Sequence, residues 1–189
     1  TAMSKWKGAI GSSERPRVNV QRMVSVATPS PTTIFPARVL TTAEQVVLKN
    51  ELMQPDNYRA LTATLTGLQS GTVPVTIIGT NWGGEQIAET ANVGGTVEFQ
   101  KPFRSIIKLI LPARGAPGQQ ISIGTSSRLG LHSPVTKASD LLLVSKSVSN
   151  AAFLPESFNP VNLDLVNHTY KIPSIVEGAS HEFTYFASE

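Results

Sequence analysis

Apolar and polar residues alternate one for one in short runs, and glycine-rich turns separate the runs. That pattern limits this chain more than any other feature. Leu61, Ala63 and Leu65 alternate with Thr62, Thr64 and Thr66; Val73, Val75 and Ile77 form a second set. Ile121 and Ile123 predict a short strand, and Phe183 and Tyr185 alternate with Glu182 and Thr184. Phe103, Ile107, Leu109 and Leu111 are expected on one strand face, with Arg104 and Lys108 on the other. A period of two is the repeat of a pleated strand with one buried face, and Val, Ile and Thr suit such a surface. The separators are turn formers: Gly67 to Gly71, Gly79 to Gly84, Gly94-Gly95, Arg114 to Gly118, and Glu177-Gly178. Short strands spaced in this way predict an all-β fold, an antiparallel sandwich or barrel-like body over residues 41–189. A length of 189 residues with 40% hydrophobic side chains is enough for a buried core and excludes a wholly disordered chain.

Two stretches resist the pattern. Thr42 and Gln45 have the spacing of a helix capping box, and Val46 to Met53 could follow as a helix ending before Pro55. The rival is a strand through Val46 and Leu48, which the β-branched pair Val46-Val47 and the surroundings favour. Residues 125–140 show no clear period and are expected to be loop.

Charge is distributed unevenly. Residues 1–40 carry six basic side chains, Lys5, Lys7, Arg15, Arg17, Arg22 and Arg38, against the single acid Glu14, a net +5. The remainder carries ten bases and twelve acids. The first 40 residues also contain Arg15-Pro16-Arg17, Thr28-Pro29-Ser30-Pro31 and Phe35-Pro36, and proline favours extended backbone at itself and its predecessor. They are therefore expected to form an extended basic arm with at most one strand, removable through residue 30 without unfolding the body. Lys5, Trp6, Lys7, Arg15, Arg17 and Arg22 are the expected partner-binding residues, since an aromatic flanked by lysines makes an interface anchor. The arm's charge suits phosphates or an acidic protein surface. No RNP-like, helix-turn-helix or zinc-finger pattern favours nucleic acid.

Signals for chemistry are sparse. Absence of cysteine excludes disulfides, thiolate metal sites and a cysteine nucleophile. His132, His168 and His181 fit no ligand spacing and read as ordinary surface or loop residues. There is no G-x-S-x-G elbow, no Walker loop and no G-x-G-x-x-G, and Asp140, Glu156 and Asp164 stand apart. The expectation is no catalytic residues, no metal and no cofactor. No apolar run approaches the ~20 residues of a membrane helix, and no apolar h-region marks a secretory signal.

Ile77-Ile78-Gly79-Thr80-Asn81-Trp82-Gly83-Gly84 leads to Ile87-Ala88-Glu89-Thr90, then Phe103-Arg104-Ser105-Ile106, Ile121-Ser122-Ile123-Gly124-Thr125 and Leu129-Gly130-Leu131. Near the end come His168-Thr169-Tyr170-Lys171-Ile172-Pro173, Glu177-Gly178 and Phe183-Thr184-Tyr185. This order resembles small β-rich virion structural proteins of tailed bacteriophages, of the capsid decoration, cement or minor capsid type. The resemblance covers about residues 75–131 and 165–186, and its motifs are turn glycines and strand alternation. It implies a non-enzymatic virion component, assembled in the host cytoplasm, that binds the major capsid protein and copies of itself, a trimer being favoured. Alternatives are a tail or head–tail connector ring protein, or a carbohydrate-binding β module using Trp82 at a hairpin tip.

Overall fold

The computed structural model describes residues 17–67, 71–149 and 151–187. Its strands in chain order are β1 (Arg17–Val26), β2 (Ser30–Val39), β3 (Gln45–Leu48), β4 (Arg59–Thr66), β5 (Val73–Thr80), β6 (Gln86–Val93) and β7 (Thr96–Glu98). They continue with β8 (Ser105–Leu111), β9 (Gln120–Gly130), β10 (Leu141–Ser147), β11 (Leu154–Glu156), β12 (Leu163–Asp164), β13 (Thr169–Lys171) and β14 (Ala179–Ala187). The fold is all-β and the pairings are antiparallel, as the alternation predicts. One sheet has the order β1-β14-β10-β11, a second β12-β13-β9-β4-β7 with β2 also on β9, and a third β3-β8-β5-β6.

Two hydrophobic cores result. The larger contains Phe35, Leu61, Val75, Ile77, Phe103, Leu109, Ile121 and Ile123. The smaller contains Met23, Val26, Leu129, Leu131, Tyr170, Phe183 and Tyr185. β9 supplies side chains to both. Along one edge it pairs with β4; along the other it pairs with β2 over Gln120–Thr125 and then with β13 over Arg128–Gly130. Gly124 lies where β2 crosses, and a Cβ there would collide with the Ser30 carbonyl.

Several expectations change. The body does not begin at residue 41. β1 pairs with β14 from Arg17↔Ala187 to Met23↔His181, β2 lies on β9, and Met23, Val26, Ile34, Phe35 and Leu40 are buried. Pro31 and Pro36 sit in β2 where its register with β9 is broken, so their missing N–H groups interrupt no regular ladder. Residues 1–16, with Lys5, Trp6, Lys7 and Arg15, lie outside the described residues. Residues 41–54 form the strand β3 and one 3₁₀ turn, Lys49–Glu51. The Thr41 hydroxyl, not Thr42, receives the Gln45 amide at 2.8 Å.

Residues 125–130 are not loop but the second half of β9. Thr125 and Ser126 are buried there, so burial on both faces erased the alternation. On β8, Ile106 is in the core and Ile107 is only half-buried. Ile78 pairs with Lys108 and Gly79 with Ile106, so Ile107 is the extra residue of a bulge and the face changes there.

Removing residues 1–30 takes away β1 with buried Met23 and Val26, each worth roughly 1.5–3 kcal/mol against a typical total of about 5–15 kcal/mol. Loss of a cooperative thermal transition by near-UV circular dichroism is the expected result.

Candidate functional site: an inverted edge strand and an aromatic cleft

β1 ends its sheet, so one of its backbone edges has no strand partner among the described residues. Its alternation is also inverted. Asn19, Gln21 and Met23 face inward, while Val18, Val20 and Val24 are 53%, 62% and 61% exposed. The inward amides are satisfied. Gln21 Nε2 donates to the Gly130 carbonyl at 2.8 Å, and its Oε1 accepts from the His132 N–H at 2.7 Å and the Tyr185 hydroxyl at 3.2 Å. Asn19 Nδ2 donates to Ser133 Oγ at 3.1 Å.

The outward valines continue across the sheet. Val18 pairs with the half-buried Phe186, and Val20 with Thr184, which also faces the exposed Leu143 of β10. A valine stripe beside an open backbone edge is what native β proteins ordinarily cover or break with a charged residue or Pro. On β1 the single charge in the stripe is Arg22, between Val20 and Val24, and it is paired with Glu182.

Of the expected partner-binding residues, Arg17 and Arg22 are described, and they lie on opposite faces of β1. Arg22 forms an ion pair with Glu182 at 2.7 Å, and its guanidinium lies 4.5 Å from the Phe153 ring centre. Its side chain remains 57% exposed, so this ion pair lies at the surface.

A second feature forms at the β5–β6 hairpin. Asn81 N–H donates to the Glu85 carbonyl, Gly84 N–H donates to the Asn81 carbonyl, and Gly84 takes a φ of +86°, which glycine adopts without strain. The tip carries Trp82, as predicted. Its ring is no open platform, however. The His132 imidazole lies parallel to it at 3.4 Å, and the Arg104 guanidinium carbon sits 4.7 Å from the ring centre. Arg104 Nη1 donates to the Trp82 carbonyl at 3.1 Å, and the Tyr58 ring stands 6.0 Å from Trp82. Burial pushes the His132 pKa down to about 4, and the nearby Arg104 charge adds to the shift. Clefts of about 230 Å³ and about 150 Å³ share the rings of Tyr58, Trp82 and His132.

Of the other histidines, His168 lines the smaller cleft with His132 and His181 does not. His168 Nδ1 accepts from the Val135 N–H at 3.3 Å, from a backbone at φ +51°. His181 is fully buried on β14, against the expectation of a surface residue; its Nδ1 lies 3.6 Å from Glu156 Oε2. Burial lowers its pKa, with Glu156 opposing that shift. Among the described residues no group of three or more His, Asp and Glu could hold a metal ion.

Comparisons with family models, with curated proteins and with solved structures return no match to this chain. The sequence could have shown the valine stripe of β1, but not which way it faces. It held no local signal linking Trp82 to His132, Tyr58 and Arg104.

The His132 ring protons are expected to titrate near pH 4 by NMR, and Arg104→Gln should raise that midpoint. The folded pKa lies below the unfolded value of about 6.5, so the neutral ring favours folding. This contribution is full above pH ~6.5 and is lost as pH falls toward ~4. A His132→Gln variant should show a flatter stability profile across that window in urea melts.

Proposed function

We propose that this chain is a non-enzymatic virion structural protein that decorates and braces a phage capsid. The observation that carries the reading is the inverted strand β1: a satisfied polar face turned inward, a valine stripe turned outward, and an open backbone edge. Such a strand is suited to accept a strand from a neighbour, with main-chain hydrogen bonds supplying affinity and the valines supplying contact area. The order of turn glycines and strands that resembles tailed-phage virion proteins supports the same class.

In this reading the major capsid protein and further copies of this chain are the partners. The outer face of the β1-β14-β10-β11 sheet sits across a joint between shell subunits. Lys5, Trp6, Lys7 and Arg15 precede β1 and extend the contact toward acidic shell residues. Three copies around a shell axis multiply weak individual contacts through effective concentration. The site of action is the virion.

The test is co-sedimentation with tail-less shells of the phage that encodes the protein. The wild-type chain should travel with shells at a copy number set by shell symmetry. Val18→Lys with Val20→Lys should keep the fold, since both side chains are exposed, and should weaken shell binding by about a hundredfold. That follows from roughly 1.5 kcal/mol or more lost per valine. A protein that stays in the supernatant, or a double variant that binds as well as wild type, overturns the proposal.

A further inference from the structure

The aromatic cleft borders β1 through Arg22 and Met23 but includes none of its outward valines. Tyr58, Trp82 and His132 form a wall shared by two lobes. Arg22, Asn57 and Arg104 belong to the larger, and Asn81, Ser133 and Asn167 to the smaller. The charges in the larger lobe are unequal in their commitments. Its one carboxylate, Asp56, accepts from Arg59 Nη1, the Ala27 N–H and Asn57 Nδ2 at 2.8–3.0 Å. Arg22 is committed to Glu182. Arg104 has no carboxylate within ion-pair distance among the described residues; its one acceptor there is the Trp82 carbonyl.

Arg104 is also held in place. The carbonyl bond and the Trp82 ring fix its guanidinium at the mouth of the lobe, so little side-chain freedom remains to be lost on binding. A planar guanidinium with open donors matches a carboxylate in a two-point geometry that a lysine does not reproduce. Around it stand two tilted aromatic rings, the apolar side chains of Met23 and Pro55, and the Asn57 amide. The Tyr58 ring and the two apolar side chains suit the C–H face of a pyranose, since the Trp82 ring is already covered by His132 and Arg104. The second lobe is lined by Asn81, His132, Ser133, Asn167 and His168 and by no Lys or Arg, so it suits an uncharged neighbouring unit. A single uncommitted guanidinium does not suit a nucleic-acid backbone, which requires several cations along its track.

We infer that the two-lobed cleft around Trp82 binds an acidic polysaccharide unit, a hexuronate, with its carboxylate on Arg104 and its ring against Tyr58, Met23 and Pro55. A protein exposed on a particle surface would thereby gain a weak hold on acidic surface glycan. The inference does not depend on the capsid reading, since the cleft and β1 can be tested separately.

The probe is trigalacturonate, added to the full chain and followed through the Trp82 indole N–H by NMR and through tryptophan fluorescence. Saturable shifts at Trp82 and His132 are expected. The fully methyl-esterified trimer should bind at least tenfold more weakly, because it lacks the charge but keeps the shape. Arg104→Gln should lose binding by a similar factor and Arg104→Lys by less, while Val18→Lys with Val20→Lys binds trigalacturonate as wild type. Equal binding of the methyl ester, unchanged binding by Arg104→Gln, or inorganic phosphate competing as strongly as galacturonate each overturns the inference. The ester comparison uses the unaltered chain, so it decides the matter even where Arg104→Gln weakens the hairpin.

Discussion

A guanidinium with no exposed surface holds the two cores against each other. Arg59 opens β4, and its side chain reaches the Ser126 carbonyl through Nε at 2.9 Å and through Nη2. Nη1 donates to the Ala27 carbonyl and to Asp56 Oδ1, both at 2.9 Å. Its backbone exchanges hydrogen bonds with Phe103. Ser126 lies where the free edge of β9 has left β2 and has not yet met β13. The ladder is interrupted at that point, and the guanidinium supplies donors to its carbonyl. A buried charge is costly unless paired and hydrogen-bonded. Here each group of the fork has a carbonyl or carboxylate partner. Burial acts to raise the Asp56 pKa, but Arg59 and the hydrogen bonds from Ala27 and Asn57 outweigh it and hold the carboxyl below its ordinary value.

Both candidate sites depend on this junction. Ala27 directly follows β1, so the Arg59 bond anchors the inner end of the strand whose outer face presents the valines. Asp56, Asn57 and Tyr58 directly precede Arg59, so the same side chain positions one wall of the aromatic cleft. Replacing Arg59 by an apolar residue would leave the buried Ser126 carbonyl without its donor and release the Ala27 carbonyl, and it would disturb both surfaces at once.

The residues that made the fold legible are those buried on one face only. β4, β5 and β14 show clean alternation because one side of each meets a core and the other meets water or a polar neighbour. The Asn81–Gly84 turn was legible because a tight hairpin demands specific residues at positive φ. Illegibility has equally particular causes. The second half of β9 is covered on both faces, and its polar residues serve Arg59 and neighbouring backbone, so no period survives. The Ile107 bulge inserts one residue and reverses the count. In β1 the alternation was visible, but a period of two does not state its phase. The expected arm boundary at residue 40 failed because prolines in an irregular edge strand look the same in sequence as prolines in an unpaired arm. The stacking of His132 on Trp82 joins a loop and a hairpin tip distant in sequence, and nothing local encodes it.

The phase of β1 decides which of its faces a partner can meet. A slip of one residue would turn Val18 and Val20 inward and Gln21 outward, which hydrophobic burial alone would favour. The observed register is held instead by the bonds from Gln21 to Gly130, His132 and Tyr185, together with Met23 and Val26 in the smaller core. A buried glutamine that satisfies two backbone groups and a tyrosine hydroxyl fixes register, because any slip leaves those groups unpaired in the interior. The same glutamine grips the backbone of the residue whose ring covers Trp82. The phase that exposes the valine stripe and the loop that builds the cleft are therefore set by one side chain. A change at Gln21 would have to alter both surfaces together, whereas changes at Val20 or Arg104 would alter one and spare the other.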